Sequence, residues 1–554
     1  MPPYVITGIQ AGVTDDTVPL RLEVDSWYPG QTEPHLLQNN LFLWALHFLE
    51  AKDPDEKLSY FQIAGIHGSP FMPWDEDTDA QTVNEGYCTH DSLLFPCWHR
   101  PYMLLFEQVL YEVMTSEVIP KLPLDKQQEW LDAAQTFRLP YWDWAEKKKR
   151  GGSDIYDVPV ITKDPRIEVV NLNDGTTPVF IDNPMYKFKM PNDERMGCSG
   201  VSDVQDKIMS AGVETILTMP FSKSRATSRW APYERESSTV STQWQNGEID
   251  NQKIADALKN HDCNVDRQFA IWQALNVDNT ANWFQNSDEQ LPDDGTWSIK
   301  AATIDTPETP LAPFHKDTEG KYFISDDIKD WMKWGYSYPE LQPWLDKYKT
   351  DGKFNKKLYI EDIKRQLKEL YSPNELKNVT ADVIVNVEYM RFALNGAPYT
   401  LYFFLGPRNE QDEYRGPLHM HPNLVGFVYT FTNPIYRNRA APGCANCRRR
   451  AAEGTKSRAQ VPITGALLAL TRKASSDDLT WITNPSAVES HLEQNLYWRA
   501  RTHGGRDVPI PNDVPFIQVS VYHRKASFDD IASGETYRLL ERATLGKPGG
   551  RPGI

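Results

Sequence analysis

Three histidines fall in one short stretch of the chain: His67 in YFQIAGIHG, His90 in GYCTHD and His99 in FPCWHRPYMLLFEQ. Neutral imidazole is the commonest nitrogen ligand for zinc and copper, and three of them leave a further position for water or substrate. That is the layout of a catalytic metal site, although a buried histidine taken singly is more often a hydrogen-bonded core residue. A second stretch, NHDCNVDRQFAIWQ at 260–273, brings His261 and Asp262 together, followed by Asp266 and Arg267. Carboxylates and imidazoles at a metal pocket are the groups that move protons or orient a substrate.

These residues need helices to hold them. From about 33 to 52, Leu37, Leu41, Trp44 and Phe48 recur at three- and four-residue steps, one face of an amphipathic helix. Over 100–116, Met103, Phe106, Leu110 and Val113 form a second stripe, with Pro101 expected in the first turn and His99 therefore at the helix entrance. Beyond about 400 the character changes: NLVGFVYTF (423–431) and FIQVSVYH (516–523) read as strands, the latter alternating Ile517, Val519 and Val521 on one face. The expected organisation is a mainly α metal-binding domain over 1–405 and a β-rich C-terminal domain over 406–554. A basic segment interrupted by Gly and Pro, 437–458, reads as an exposed loop and carries Cys444 and Cys447.

The motifs YFQIAGIHG, GYCTH, LFPCWHRPYMLLFEQ, LPYWDWA (139–145) and CNVDRQFAIWQALN (263–276) together resemble the tyrosinase and hemocyanin family, the type-3 copper proteins. The likeness continues through PYTLYFFLGP (398–407) and LEQNLYWRA (492–500). It implies a helical bundle around the metal site followed by a C-terminal β-rich domain. By motif, His67, His90 and His99 match the ligands of the family's first copper. Cys88, two residues before His90, matches the cysteine that the family joins to that histidine by a thioether. Cys444 and Cys447 match a Cys-x-x-Cys linked to copper loading, here a candidate remnant. Asp266 and Arg267 match residues that support the ligand helix.

The second copper site departs from the pattern. The family supplies two histidines four apart on one helix and a third from a His-His pair before CNVDR. No histidine occurs between His99 and His261, and the His-His pair has become His261-Asp262, with Asp262 in the ligand's place. Oxygen chemistry of the tyrosinase kind uses both coppers, so a phenol oxidase is not expected. The altered site is similar to that of the fungal cyclopenases, hemocyanin-like zinc enzymes of quinolone alkaloid biosynthesis. That resemblance implies one Zn2+ per chain as Lewis acid, with copper as the alternative cofactor. It also implies ring contraction of a cyclopenin-type benzodiazepinedione epoxide to a viridicatin-type quinolinone, with Asp262 and His261 as candidates for proton transfer or substrate orientation. Phe95, Phe269 and Trp272 are candidate walls for an aromatic substrate. The rivals are a copper phenol or catechol oxidase with an atypical second site, and a catalytically dead binding protein.

Composition narrows the partners. Fifty-nine Lys plus Arg against 76 Asp plus Glu give a formal charge of −17, which repels polyanions and argues against nucleic acid. No uninterrupted apolar segment is long enough to span a bilayer, and no basic stretch followed by an apolar run opens the chain, so a cytoplasmic protein with no membrane partner is expected. Six cysteines in 554 residues are too few for a disulfide scaffold. The expected partner is an aromatic alkaloid; a homo-oligomer is left open.

Overall fold

The computed structural model describes residues 2–67, 73–75, 87, 94–186, 252–275, 306–371, 381–407, 418, 421–430 and 452–550, with short omissions inside these ranges. The chain divides into two compact units. The first is formed by residues 1–144, 157–209 and 244–364, and the second by 145–156, 210–243 and 365–554.

In the first unit, α1 (His35–Glu50) covers the predicted segment and is buried well beyond one stripe. Its buried polar residues are what make this tolerable, because each finds a specific partner. Gln38 Nε2 donates to the Ala133 carbonyl of α4 (Leu124–Gln135) at 3.0 Å, and Trp27 Nε1 donates to Gln38 Oε1 at 3.1 Å. Asn40 Oδ1 accepts from the Val170 amide, and Trp44 Nε1 donates to the Val170 carbonyl. These bonds hook the helix to a hairpin of β1 (Arg166–Val170) and β2 (Pro178–Asp182). Trp44 and Phe48 are half-buried, so the predicted stripe is apolar but not uniformly interior.

Helix α2 (Tyr60–His67) ends at a candidate ligand, and α3 spans Phe95–Val113. The sequence expectation for α3 is corrected here: the proline of the first turn is Pro96, Pro101 lies inside the helix, and His99 is a full turn within it. The Trp98 amide already donates to the Leu94 carbonyl at 2.7 Å, so helical bonding is established ahead of Pro101. Pro101 lacks an N–H and forfeits only the bond that the Cys97 carbonyl would accept. The helix then widens into a π turn, Met114–Val118, and ends in a tighter 3-10 turn, Ile119–Lys121. Helix α5 (Gln252–Leu275) packs along α3.

Arg138 ties the N-terminal segment to this framework, donating to the carbonyls of Ile9, Ala11, Phe137 and Gly335. Burial lowers its pKa to about 10, with Glu107 opposing the shift. Gly335 has φ of 86° where the chain passes Ile9, and a Cβ there would run into the Ile9 carbonyl oxygen, so a side chain is excluded twice over.

Helix α6 (Lys356–Tyr371) contains the boundary between the units. Among its described residues, beside a two-stranded ribbon within 148–155, the second unit carries two four-stranded antiparallel sheets. One has the order β6 (Lys456–Pro462), β3 (Ala381–Met390), β9 (Ile517–Lys525), β10 (Arg538–Leu539). The other has the order β8 (Asp507–Val508), β7 (Leu496–Thr502), β4 (Tyr399–Leu405), β5 (Leu424–Tyr429). One apolar core draws from both sheets, with Val383, Val385, Val387 and Val519 from the first and Leu401, Phe403 and Leu496 from the second. Helices α7 (Thr464–Lys473) and α8 (Pro485–Asn495) add Leu467 and Leu492 to it. The two predicted strands are β5 and β9, and Ile517, Val519 and Val521 alternate inward as expected. The expected boundary at 405/406 moves toward the N-terminus, because β3 is an inner strand paired with both β6 and β9 and belongs to the β-rich unit. Its residues Ala381, Val383, Val385, Val387 and Tyr389 face the core, and Asp382, Asn386 and Glu388 alternate with them. The basic segment 437–458 lies outside the described residues except at a few positions. Its end forms β6, where Lys456 and Arg458 pair with Glu388 at the surface. No helix among the described residues is long and apolar enough to cross a membrane.

Candidate metal centre

His67, His99 and Asp262 converge from three helices. His67 is the last residue of α2, His99 lies in the second turn of α3, and Asp262 sits within α5. All three are buried, and one ligand atom from each lies within 4.8 Å of the other two. The two Nε2 atoms are 3.2 Å apart. Two nitrogens at the usual zinc distance of about 2.0–2.1 Å with tetrahedral angles stand about 3.3 Å from each other, so the imidazole pair has the spacing of two ligands on one ion.

Hydrogen bonding and ring packing fix both imidazoles. His99 Nδ1 bonds the Phe95 carbonyl at 2.6 Å; as the N–H donor in that bond, it leaves Nε2 with its lone pair toward the site. The Phe95 ring lies against His99 with centroids 4.3 Å apart, and Trp98 meets the same imidazole edge-on at 4.9 Å. His67 stacks on Tyr102 at 5.7 Å, and the Tyr102 hydroxyl donates to the Ile63 carbonyl of His67's own helix. A lone pair from His99 and a carboxylate from Asp262 are both acceptors. With the His67 imidazole they make a buried donor set of the kind that fits a metal ion.

One turn beyond Asp262, Asp266 locks α5 to α3. Arg100, the neighbour of His99, donates through Nε to Asp266 Oδ1 at 2.5 Å. Asp266 Oδ2 accepts from Arg21, Tyr336 and Tyr338. Burial alone would push the Asp266 carboxyl up; Arg100 and Arg21 outweigh it and hold the group below the usual carboxylate range. Arg21 also makes a two-pronged pair with Glu107, and its guanidinium lies 3.7 Å from the Tyr336 ring centroid. On another side of the helix, Arg267 pairs with Glu340 and Asp143 and covers the Tyr141 ring at 4.7 Å. Asp266 and Arg267 each join this helix to side chains of other segments.

The other candidates fall as follows. Phe95 stands at the site through both its ring and its carbonyl. Phe269 is a core residue: it is 2% exposed, lies under the Arg100 guanidinium at 4.6 Å, and stacks on Trp272. Seven residues separate it from Asp262, about 10 Å along the helix axis. Trp272 is half-buried beside it. Cys88, His90, Cys444, Cys447 and the side chain of His261 lie outside the described residues. Among the described residues that precede them, the Trp74 amide donates to Tyr87 Oη, and Asp75 accepts from the Tyr4 amide and pairs with Lys57. Sequence reasoning missed Tyr102, Trp98 and the Arg21–Tyr336–Tyr338 cluster. Only the run WHRPY, which places three aromatic or charged residues around His99, carried a local signal for any of them.

Comparison with known proteins places this geometry. Residues 57–262 match the common central domain of tyrosinase, a span that includes all three predicted histidine ligands and ends at Asp262, and residues 382–521 match the tyrosinase C-terminal domain. A tyrosinase of Podospora anserina is 31% identical over 427 residues, covering 68% of this chain and 70% of that protein. The chain belongs to the type-3 copper family of tyrosinases and hemocyanins. Within the family, a tyrosinase of Aspergillus fumigatus is 29% identical over 568 residues, covering 84% of each chain. The apo-pro-tyrosinase of Aspergillus oryzae shares the fold, with a TM-score of 0.66 and 21% identity over 97% of this chain and 96% of that one. The C-terminal family match begins at 382, in keeping with a β-rich unit that includes β3.

Proposed function

We propose that this family member is a zinc-dependent, non-oxidising enzyme of the cyclopenase type. The observation that carries the proposal is Asp262: where the family's second metal site would receive an imidazole, this chain brings a carboxylate into the pocket of His67 and His99. The absence of any histidine between residues 99 and 261 supports it, since no His-x-x-x-His pair is left for a second copper. The reaction is ring contraction of a benzodiazepinedione epoxide to a 3-hydroxy-4-arylquinolin-2-one with loss of methyl isocyanate. Product and isocyanate together account for every atom of the substrate, so neither oxygen nor an electron donor is consumed.

His67, His90 and His99 would hold the ion, which when bound supplies Lewis-acid polarisation of a carbonyl or epoxide oxygen. The Phe95 carbonyl keeps His99 in the tautomer that binding requires. Asp262 and His261 transfer the proton or orient the substrate. Phe95, Trp98 and Tyr102 surround the imidazoles with aromatic surface, which limits water and suits an aryl-substituted alkaloid.

A second reading, a copper-dependent phenol or catechol oxidase, is favoured by the relatives' names, which are tyrosinases and polyphenol oxidases. It requires Asp262 and His261 to serve a second copper, against that metal's preference for nitrogen ligands. Metal analysis of the purified chain, with parallel assays on cyclopenin and catechol, separates the two. About one zinc per chain and oxygen-independent release of the quinolinone is the expected result; two coppers per chain with oxygen uptake on catechol would overturn it.

A further inference from the structure

We propose that Asp262 is itself a ligand of the ion held by His67 and His99, making the centre a mixed imidazole–carboxylate site. The inference rests on reading the site as a metal centre and is independent of the reaction assigned to it. Atoms bound to one tetrahedral zinc at about 2.0–2.1 Å lie about 3.3 Å apart. The 3.2 Å between the imidazole nitrogens matches that spacing, and the carboxylate, within 4.8 Å of both, has at most about 1.5 Å to close on binding the ion.

The chemistry of the pocket points the same way. Asp262 is buried with its carboxylate near two imidazole nitrogens, one of which is held as an acceptor by the Phe95 carbonyl. With His90, which the family motif places in the set, the carboxylate would make a centre of three imidazoles and one oxygen, and zinc can take a substrate oxygen as a fifth ligand. The anionic oxygen also lowers the net charge of a buried dication, which three neutral imidazoles cannot do. An oxygen donor is poorly suited to soft Cu(I) and well suited to a harder divalent ion, so this one residue biases the metal as well as holding it. A carboxylate that ligates through one oxygen keeps the second for a proton, and the transfer role proposed for Asp262 is retained.

The test is zinc affinity of the full-length chain, read by competition with a chromophoric chelator, for the native protein, D262N and D262H, together with the visible spectrum of each Co(II)-substituted form. Circular dichroism in the presence of chelator checks that each variant is folded. Loss of a supporting partner lowers metal affinity about 10–100-fold. The expected result is a loss beyond about 100-fold in D262N with a changed cobalt spectrum, and recovery of binding in D262H with a shift toward copper. A loss smaller than that, or an unaltered cobalt spectrum in D262N, would overturn the assignment, and D262H guards against a D262N protein that does not fold. A native chain that binds neither zinc nor cobalt would overturn the metal reading and this inference together. Asp262-dependent zinc binding without cyclopenin turnover would uphold the inference and overturn the reaction alone.

Discussion

Asp266→Asn should destabilise the first unit by about 3–5 kcal/mol. The side chain is almost isosteric, so the perturbation is one of charge. Asp266 accepts from Arg100, Arg21, Tyr336 and Tyr338, and both guanidinium groups are fully buried. After the substitution Arg21 keeps its two-pronged pair with Glu107, but Arg100 is left with neutral acceptors, Gln273 Oε1 and the Ile328 carbonyl. Leaving one buried charge uncompensated costs about 3–5 kcal/mol. For a unit of roughly 300 residues the unfolding entropy is about 0.6 kcal/mol per kelvin, so the melting temperature should fall by about 5–8 °C. The assay is calorimetry on the full chain with chelator present, because bound metal adds stability of its own. Glu388→Gln, which removes a carboxylate paired at the surface with Lys456 and Arg458, is the control and should change stability by less than about 1 kcal/mol. A D266N loss no larger than the control's would refute the argument that the Arg100–Asp266 pair carries an uncompensated charge when broken.

Two further outcomes follow. The depressed Asp266 carboxyl titrates below its unfolded value of about 3.9, so its stabilisation is complete above about pH 5 and is lost as pH falls through the folded value; urea midpoints should decline below about pH 4, less steeply in D266N than in the native chain. Cys97 and Cys263 are buried thiols, pushed up by burial, Cys97 to about 12, so alkylation at pH 8 should leave both unmodified in the native protein and label both after denaturation, as read by peptide mass spectrometry.

What the sequence made legible followed the kind of constraint each element obeys. Strand β9 announced itself because one face is buried and side chains alternate, and α1 because an apolar face repeats every three to four residues. Strand β3 alternates too, with Val383, Val385, Val387 and Tyr389 inward, but alternation does not say which unit a strand joins, and that became visible only through its pairing with β6 and β9. Proline statistics placed the start of α3 one turn late, because Pro101 is accommodated within the helix while Pro96 takes the first turn. His67, His99 and Asp262 were readable as chemistry because residue type and local motif suffice for that. The support around them was not: Arg21 reaches Tyr338 across 317 positions, and nothing in the spacing of an isolated arginine and a tyrosine signals that they meet.

The register of α5 decides which of its two adjacent polar residues can serve the site. Arg100 touches Asp266, Phe269 and Gln273, so one stripe of the helix, which continues back to Asp262, is turned toward α3. Arg267, one residue on, is held separately by Glu340 and Asp143. Two clamps on different sides fix the helix against rotation about its axis. Successive residues are about 100° apart around a helix, so exchanging Asp262 for His261 at the same point in space would require a turn of that size. Such a turn would break the Asp266 clamp, which alone is worth about 3–5 kcal/mol, and would pull Arg267 from both of its carboxylates as well. Rotation of the helix therefore offers no inexpensive route from a carboxylate to an imidazole at this position. A nitrogen-rich second site built on this segment would need a substitution at position 262 itself, and the acid oxygen is a fixed property of the pocket rather than one conformer among several.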